Sequence, residues 1–239
     1  MKKFSVLLLA LPLFVSAQNN NVISVDRYFP KADKVQQFEK ALAAHAQKYH
    51  KGDTKWLVLT VETGPDAGAY QVVEGPKTWE SADKRGDLGQ AHTDDWNTTV
   101  QPTLTDKVSF SFMTFRNDLS TVAQTDYAEK IAITHVFYKP GYYDEMQQAL
   151  TNMKKVWEQS KQSIAVYEAS ASGEPQFTIV TRYKQGLKER DAGFMEPFPV
   201  RYKKAHGQAG WDQYVKSVKE MVDHQWSELL FVKRDLGSK

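Results

Sequence analysis

The sequence predicts an α+β protein built of two tandem strand–helix–strand–strand–helix–strand units, whose antiparallel sheets pack together into a pseudo-dimeric α/β barrel. Three observations predict it. The segment ISVDRYFPKADKVQQFEKAL from Ile23 aligns without gaps to IAITHVFYKPGYYDEMQQAL from Ile131. Each copy ends alike, with a tryptophan (Trp96, Trp211), a strand-like run and then Asp118-Leu119-Ser120 or Asp235-Leu236-Gly237. Between these ends each copy holds two β-rich runs separated by Gly and Pro, a hairpin signal.

The elements follow in order. Lys2 and Lys3 precede an apolar run from Phe4 to Val15, interrupted by Ser5 and Pro12, and the small residues Ser16 and Ala17 follow. That is the layout of a secretory signal peptide, too short to cross a bilayer. Residues 1–17 are therefore expected to be removed and the chain exported, to a periplasm or to the medium. No later run reaches the ~20 apolar residues a membrane span needs.

The first unit is expected over 18–119. Alternating apolar residues from Ile23 make a strand, and Phe38, Ala41 and Leu42 mark the buried stripe of a helix. Strands follow at Trp56 to Glu62 and Ala69 to Glu74, then a helix opened by Trp96 and a last strand from Val108. Residues 120–130 are expected to link the units. The second unit, 131–239, repeats the pattern: Phe137, Ala149 and Leu150 coincide with Phe29, Ala41 and Leu42, and strands are expected at Ile164 to Ala169, Gln176 to Tyr183 and from Ser227. This order is that of the ferredoxin-like unit, whose open sheet face the other copy can cover.

With these patterns in view, above all "VFYKPGYYDEMQQAL" and "TWESADKRGDLGQAHTDDWNTTVQPTL", the chain resembles the dimeric α/β-barrel superfamily, which includes antibiotic-biosynthesis-monooxygenase-like domains. The resemblance spans Ile23 to Leu236. It implies a cofactor-independent or haem-dependent monooxygenase-like enzyme as one reading. Some members bind haem through a helical histidine, and His224, read at the end of the last helix, is the position that would serve; otherwise no cofactor is expected.

Composition removes other chemistries. There is no cysteine, hence no disulfide, thiolate site or cysteine nucleophile. The formal charge of +2 includes Lys2 and Lys3, so the exported chain balances, and no basic cluster suggests a nucleic-acid partner. Neither HExxH, P-loop, EF-hand nor GxSxG occurs. His45 and His50 stand five residues apart, about 140° around a helix, and His92 with Asp94 and Asp95 reads as a polar loop, so no metal site is expected. Glu62 and Glu74 are available at strand ends.

The repeat singles out one pair. Ile23, Val25, Arg27 and Phe29 share a strand face, as do Ile131, Ile133, His135 and Phe137. Arg27 and His135 thus occupy equivalent places on apolar faces, where a polar group must be hydrogen-bonded or face a cavity. If that face lines the space between the sheets, the two meet near the pseudo-twofold axis and suit an oxygen-rich or anionic ligand. Strand tyrosines, Tyr28 and Tyr183 among them, would add apolar contact with a hydroxyl. The expectation is an exported binding or sensing module for a small molecule held between the units, with the enzyme or a ligand-free structural barrel as alternatives. Either a monomer with an internal pseudo-dimer or a homodimer joined through exposed strand edges is compatible with the sequence.

Overall fold

The computed structural model describes residues 20–84 and 88–239, so residues 1–17, expected to be a signal peptide, lie outside the described residues. The first unit comprises β1 (Val22–Pro30), α1 (Val35–Tyr49), β2 (Trp56–Val61), β3 (Tyr70–Lys77), two short helices α2 (Trp79–Asp83) and α3 (Gln90–Asp95), and β4 (Leu104–Phe115). The second comprises β5 (Lys130–Tyr138), α4 (Tyr143–Gln159), β6 (Ile164–Ser170), β7 (Gln176–Arg182), α5 (Phe198–Met221) and β8 (Val222–Val232). None of the described helices is long and apolar enough to cross a membrane.

All eight strands close into one antiparallel barrel in the order β1-β3-β2-β8-β5-β7-β6-β4. Within it β4-β1-β3-β2 and β8-β5-β7-β6 are the two ferredoxin-like sheets. They join at two seams, β2 on β8 (Leu59 opposite Val232, Val61 opposite Leu230) and β4 on β6 (Phe112 opposite Ser170, Phe115 opposite Tyr167). Closure is local: β4 pairs with β6 only from Phe112 to Phe115 and β8 with β2 only from Leu230 to Val232, so the earlier parts of β4 and β8 keep one edge without a strand partner.

Strand alternation divides the core in three. Odd-numbered residues of β1 point into the barrel, where Ile23 packs with Leu59, Val61, Met113, Ile133, Tyr167, Val180 and Leu230. Even-numbered Tyr28 points outward, into a layer with Phe38, Leu42 and Ala46 of α1. The equivalent layer of the second unit packs Met146, Ala149, Leu150 and Trp157 of α4 on Ile164, Phe177 and Ile179. The helical stripe at i, i+4, i+8 (Phe38, Leu42, Ala46) accounts for the placement of α1, each large side chain contributing roughly 1.5–3 kcal/mol on burial.

The repeated Asp-Leu endings have a reciprocal use. Leu119, after the last strand of the first unit, is buried in the layer under α4, and Leu236, after the last strand of the second, is buried in the layer under α1. The second tail is tied down by Lys233 N–H to Val58 O at 2.8 Å and Ser238 N–H to Trp56 O at 3.0 Å. The 120–130 segment is tethered too: the Arg182 guanidinium donates to the carbonyls of Ala123 at 2.8 Å, Gln124 at 2.9 Å and Asp126.

Several boundaries differ from the sequence reading: β3 runs on to Lys77, and helical residues precede both Trp96 and Trp211. β4 starts at Leu104 rather than Val108, and β8 starts at Val222, immediately after α5 ends. α5 is itself broken at Gly207, whose φ of 75° is left-handed, four residues before Trp211.

Candidate functional site

Arg27 and His135 both face the barrel interior and meet through a third residue, Glu228 of β8. The Arg27 guanidinium grips Glu228 with both Nη atoms, one at 2.8 Å, and donates further to Gln71 Oε1 at 2.8 Å and Asp66 Oδ2 at 3.0 Å. His135 Nε2 lies 2.9 Å from Glu228 Oε1, and its ring stacks on Trp226 at 4.0 Å. Burial alone would raise the Glu228 carboxyl's pKa; hydrogen bonds from His135 and Arg27 reverse that and hold it below the usual carboxylate range. The Arg27 charge is therefore matched by Glu228 and Asp66, and an anionic ligand would have to displace a bidentate carboxylate to reach it. The trio is a bolt between β1 and β5, the central strands of the two sheets.

Beside it the barrel interior keeps an apolar cavity of ≈ 90 Å³, walled by Ile23, Val73, Ile133, Tyr167 and Val180, with His135 and Arg182 among its polar lining. Four residues along the strands separate those two polar groups (Ile131 opposite Arg182, His135 opposite Thr178). Tyr127 and Ala128 of the inter-unit segment complete the lining. Neither Tyr28 nor Tyr183 belongs to it. Tyr183 follows β7, its hydroxyl accepting from Arg190 Nη1 at 2.9 Å. Tyr28, having the opposite parity to Arg27, faces the helices.

A larger pocket, ≈ 560 Å³, opens on that outer side of the first unit and includes Tyr28 in its lining. Its walls are aromatic: Tyr28, Trp56, Trp96, Phe110 and Phe112; its polar residues include Glu74, Lys77, His50 and His92. Three histidines converge here. His45 comes from the buried stripe of α1, His50 caps that helix's C-terminus, and His92 is supplied by α3; one ring nitrogen from each lies within 4.8 Å of the others. The expectation of no metal site rested on helical geometry from His45 through His50. That geometry does not hold, because His50 has left the helix, with φ −98° and ψ 99°, and because His92 lies on a helix lying against α1 rather than in a loop.

Neighbouring groups orient the rings. His45 Nδ1 lies 2.8 Å from Asp95 Oδ2, three residues beyond His92. His50 Nδ1 lies 3.2 Å from Thr54 O and 3.4 Å from Glu74 Oε2, and its ring stacks on Trp56 at 3.5 Å. Each Nδ1 therefore carries the proton and each Nε2 a lone pair. His50 Nε2 lies 3.4 Å from His92 Nε2, while His45 Nε2 and His92 Nδ1 are buried without a hydrogen-bond partner. Burial pushes all three imidazoles below the ordinary histidine pKa, so they are neutral.

Glu74 anchors the floor. Its carboxylate accepts from Trp56 Nε1 at 2.9 Å and from the buried Lys77 ammonium at 2.5 Å, and Lys77 also donates to Ser24 Oγ at 3.1 Å. Burial works against the charge, but contacts from His50, Lys77 and Trp56 prevail and hold the carboxyl at about 2. In the sequence Glu74, His92 and Asp95 stand apart; only the fold shows that Glu74 and His92 line one pocket, with Asp95 beside it on His45.

His224 does not fit a haem ligand. It sits on β8 rather than a helix, its side chain is 46% exposed, and its Nδ1 is taken by Asp223 at 2.8 Å. The cavity beneath α4 and α5 is lined by its neighbours Val222 and Gln225 and not by His224, so this histidine faces no enclosed slot.

No family model matches the sequence, and no curated protein does. Solved structures do match in shape. A candidate monooxygenase from Fusobacterium nucleatum subsp. nucleatum superposes with a TM-score of 0.55 at 15% identity, covering 88% of this chain and 91% of that one. An anthrone oxidase-like protein gives 0.56 at 11% identity, covering 92% and 94%. A mutant chlorite dismutase from Candidatus Nitrospira defluvii gives 0.54 at 7% identity, covering 90% and 92%. At these identities the likeness is one of fold: the chain has the architecture of the dimeric α/β-barrel proteins, with both ferredoxin-like units carried on a single polypeptide.

Proposed function

We propose that this chain is an exported enzyme that transforms a planar, oxygen-bearing small molecule in the outer pocket of its first unit. The observation that carries the reading is the convergence of His45, His50 and His92 beside an aromatic-walled pocket of ≈ 560 Å³. The ≈ 90 Å³ interior cavity has room for only a few heavy atoms, and the charged groups beside it are paired with each other. Neutral imidazoles at a pocket wall are competent to take protons or to ligate, and stacked indole and phenyl faces favour flat substrates. The enzymatic names carried by structures of this fold, monooxygenase, anthrone oxidase-like and chlorite dismutase, agree with a catalytic rather than a sensing role.

The test is a thermal-shift screen of aromatic acids, phenols and quinones against the purified chain, followed by turnover assays on the hits. Hits whose stabilisation disappears in Trp96→Ala and persists in Ile133→Ala place the ligand in the outer pocket. Hits that depend on Ile133 and ignore Trp96 return the ligand to the barrel interior and overturn the reading.

A further inference from the structure

We propose that His45, His50 and His92 bind one divalent first-row transition-metal ion, with an open coordination position toward the aromatic pocket. This rests on the reading of that pocket as the functional site, and identifies its reactive group.

The three rings offer nitrogens within 4.8 Å of one another, and one pair stands at the separation a metal imposes. Zinc–imidazole bonds of about 2.0–2.1 Å at a tetrahedral angle put two donor nitrogens about 3.4 Å apart. His50 Nε2 and His92 Nε2 stand 3.4 Å apart, long for a hydrogen bond between two nitrogens but suited to ligands of one ion. The third ring supplies the stronger sign. His45 is fully buried, and its Nε2 has no partner, an arrangement that costs roughly 1–3 kcal/mol if nothing satisfies the nitrogen. Since Asp95 engages Nδ1, this Nε2 carries a lone pair and seeks a cation or a donor.

The surroundings match what ligating histidines need. Such residues donate their second ring N–H to a carboxylate or a carbonyl, which fixes the tautomer and strengthens the ligand. Asp95 does this for His45 and Thr54 O for His50. Three imidazoles and no thiolate exclude a preference for calcium or magnesium and favour zinc, iron, nickel or copper. His50 and His92 both line the pocket, so coordination positions left free by three protein ligands face it. A bound ion there would act as a Lewis acid on a substrate oxygen.

The experiment uses the untagged, purified chain, stripped with a chelator and then titrated with Zn(II), and separately with Co(II), whose visible absorption reports coordination geometry. The expected result is one equivalent of metal by elemental analysis, a thermal midpoint that rises with metal concentration, and a Co(II) spectrum of low-coordinate nitrogen ligation. His45→Met and His50→Gln should each weaken binding by more than about 100-fold and Asp95→Asn by about 10- to 100-fold, with His224→Gln unchanged. Asp95→Asn and His92→Gln alter partly exposed residues and guard against an effect of misfolding. Failure to take up stoichiometric zinc or cobalt, or equal uptake by the histidine variants, overturns the metal. Should small-molecule binding still depend on Trp96 and His50 in that case, the pocket reading survives alone; metal binding with small molecules that ignore Trp96 sinks the pocket reading instead.

Discussion

The outer layers of the two units are built to one plan and filled with opposite chemistry. Carried past Leu42 and Leu150 along the two helices, the spacing of the repeat places Met153 where α1 has His45 and Glu158 where it is capped by His50. Strand register extends the comparison: Ser24 lies opposite Glu74 and Ala132 opposite Thr181, and the next strands put Trp56 and Ile164 against those residues. So His45, Trp56 and Glu74 in the first unit correspond to Met153, Ile164 and Thr181 in the second. The second layer has a smaller cavity, ≈ 240 Å³, lined by Met153, Ile164, Thr181 and residues of the long α5. Among the described residues the first has the short α2 and α3 there, α3 running on into a π-helical turn at Trp96–Val100, and a pocket more than twice as large. One copy keeps the packing and the other keeps the polar cluster. A barrel needs apolar layers on both flanks to stand, but only one flank has to carry chemistry.

The sharpest way to break this comparison is to remove its polar centre. Glu74→Ala strips the partner from buried Lys77 and from Trp56 Nε1, and should lose about 3–5 kcal/mol in urea denaturation. Thr181→Ala, the equivalent change, should lose no more than about 1 kcal/mol. Equal losses would show that the two layers are not chemically different. Where the layers do agree, they should respond alike: Leu42→Ala and Leu150→Ala, equivalent and almost fully buried, should each lose about 2–5 kcal/mol.

Acid offers a further contrast. The folded-state pKa values of His45 and His50 lie below 6.5, so their contribution is fully present above pH 6.5 and is lost as pH falls from there toward the folded values. Glu74, at 4.5 unfolded and about 2 folded, adds a second loss as pH falls from 4.5 toward 2. Thermal melts between pH 8 and pH 5 should therefore decline in the native chain and flatten in a His45→Met/His50→Gln double variant; an undiminished slope would assign the dependence to other groups. The smallest effect is expected of His45→Met alone, measured in metal-free protein. It installs the second unit's residue where a buried nitrogen has no partner, so stability should stay within about 1 kcal/mol of the parent.

How much of this the sequence discloses depends on whether the deciding relation is local. Alternation along β1 and β5 is local, and it was enough to turn Arg27 and His135 inward and to bring them to equivalent places. Glu228, the residue that joins them, lies in the strand expected from Ser227, but its approach to Arg27 and His135 depends on the pairing of β8 with β5 and on closure of the barrel, which have no local signature; the helix pattern running past Met221 accounts for the reading of His224 as helical. Tyr28 was grouped with the interior residues although its parity is that of Ser24 and Asp26, a reading that alternation alone could have corrected. The histidine cluster is of another kind. His50 owes its direction to leaving the helical conformation, and His92 owes its nearness to a crossing of α3 over α1, and neither has a spacing signature. The one local hint was His92-Thr93-Asp94-Asp95-Trp96, in which a histidine and the carboxylate that orients its neighbour lie three residues apart.

The exchanged tails bear on how such a chain comes to be folded. Leu119 completes a hydrophobic layer whose helix is made after it, and Leu236 completes one whose helix was made long before. Glu228 reaches back 201 positions to Arg27. Neither half can bury its own interior unaided, so a ribosome-bound first half has nothing final to settle into. Contacts of such long range make for slow, late and cooperative closure. The polypeptide should melt in a single transition, and separately expressed halves should become ordered only when mixed.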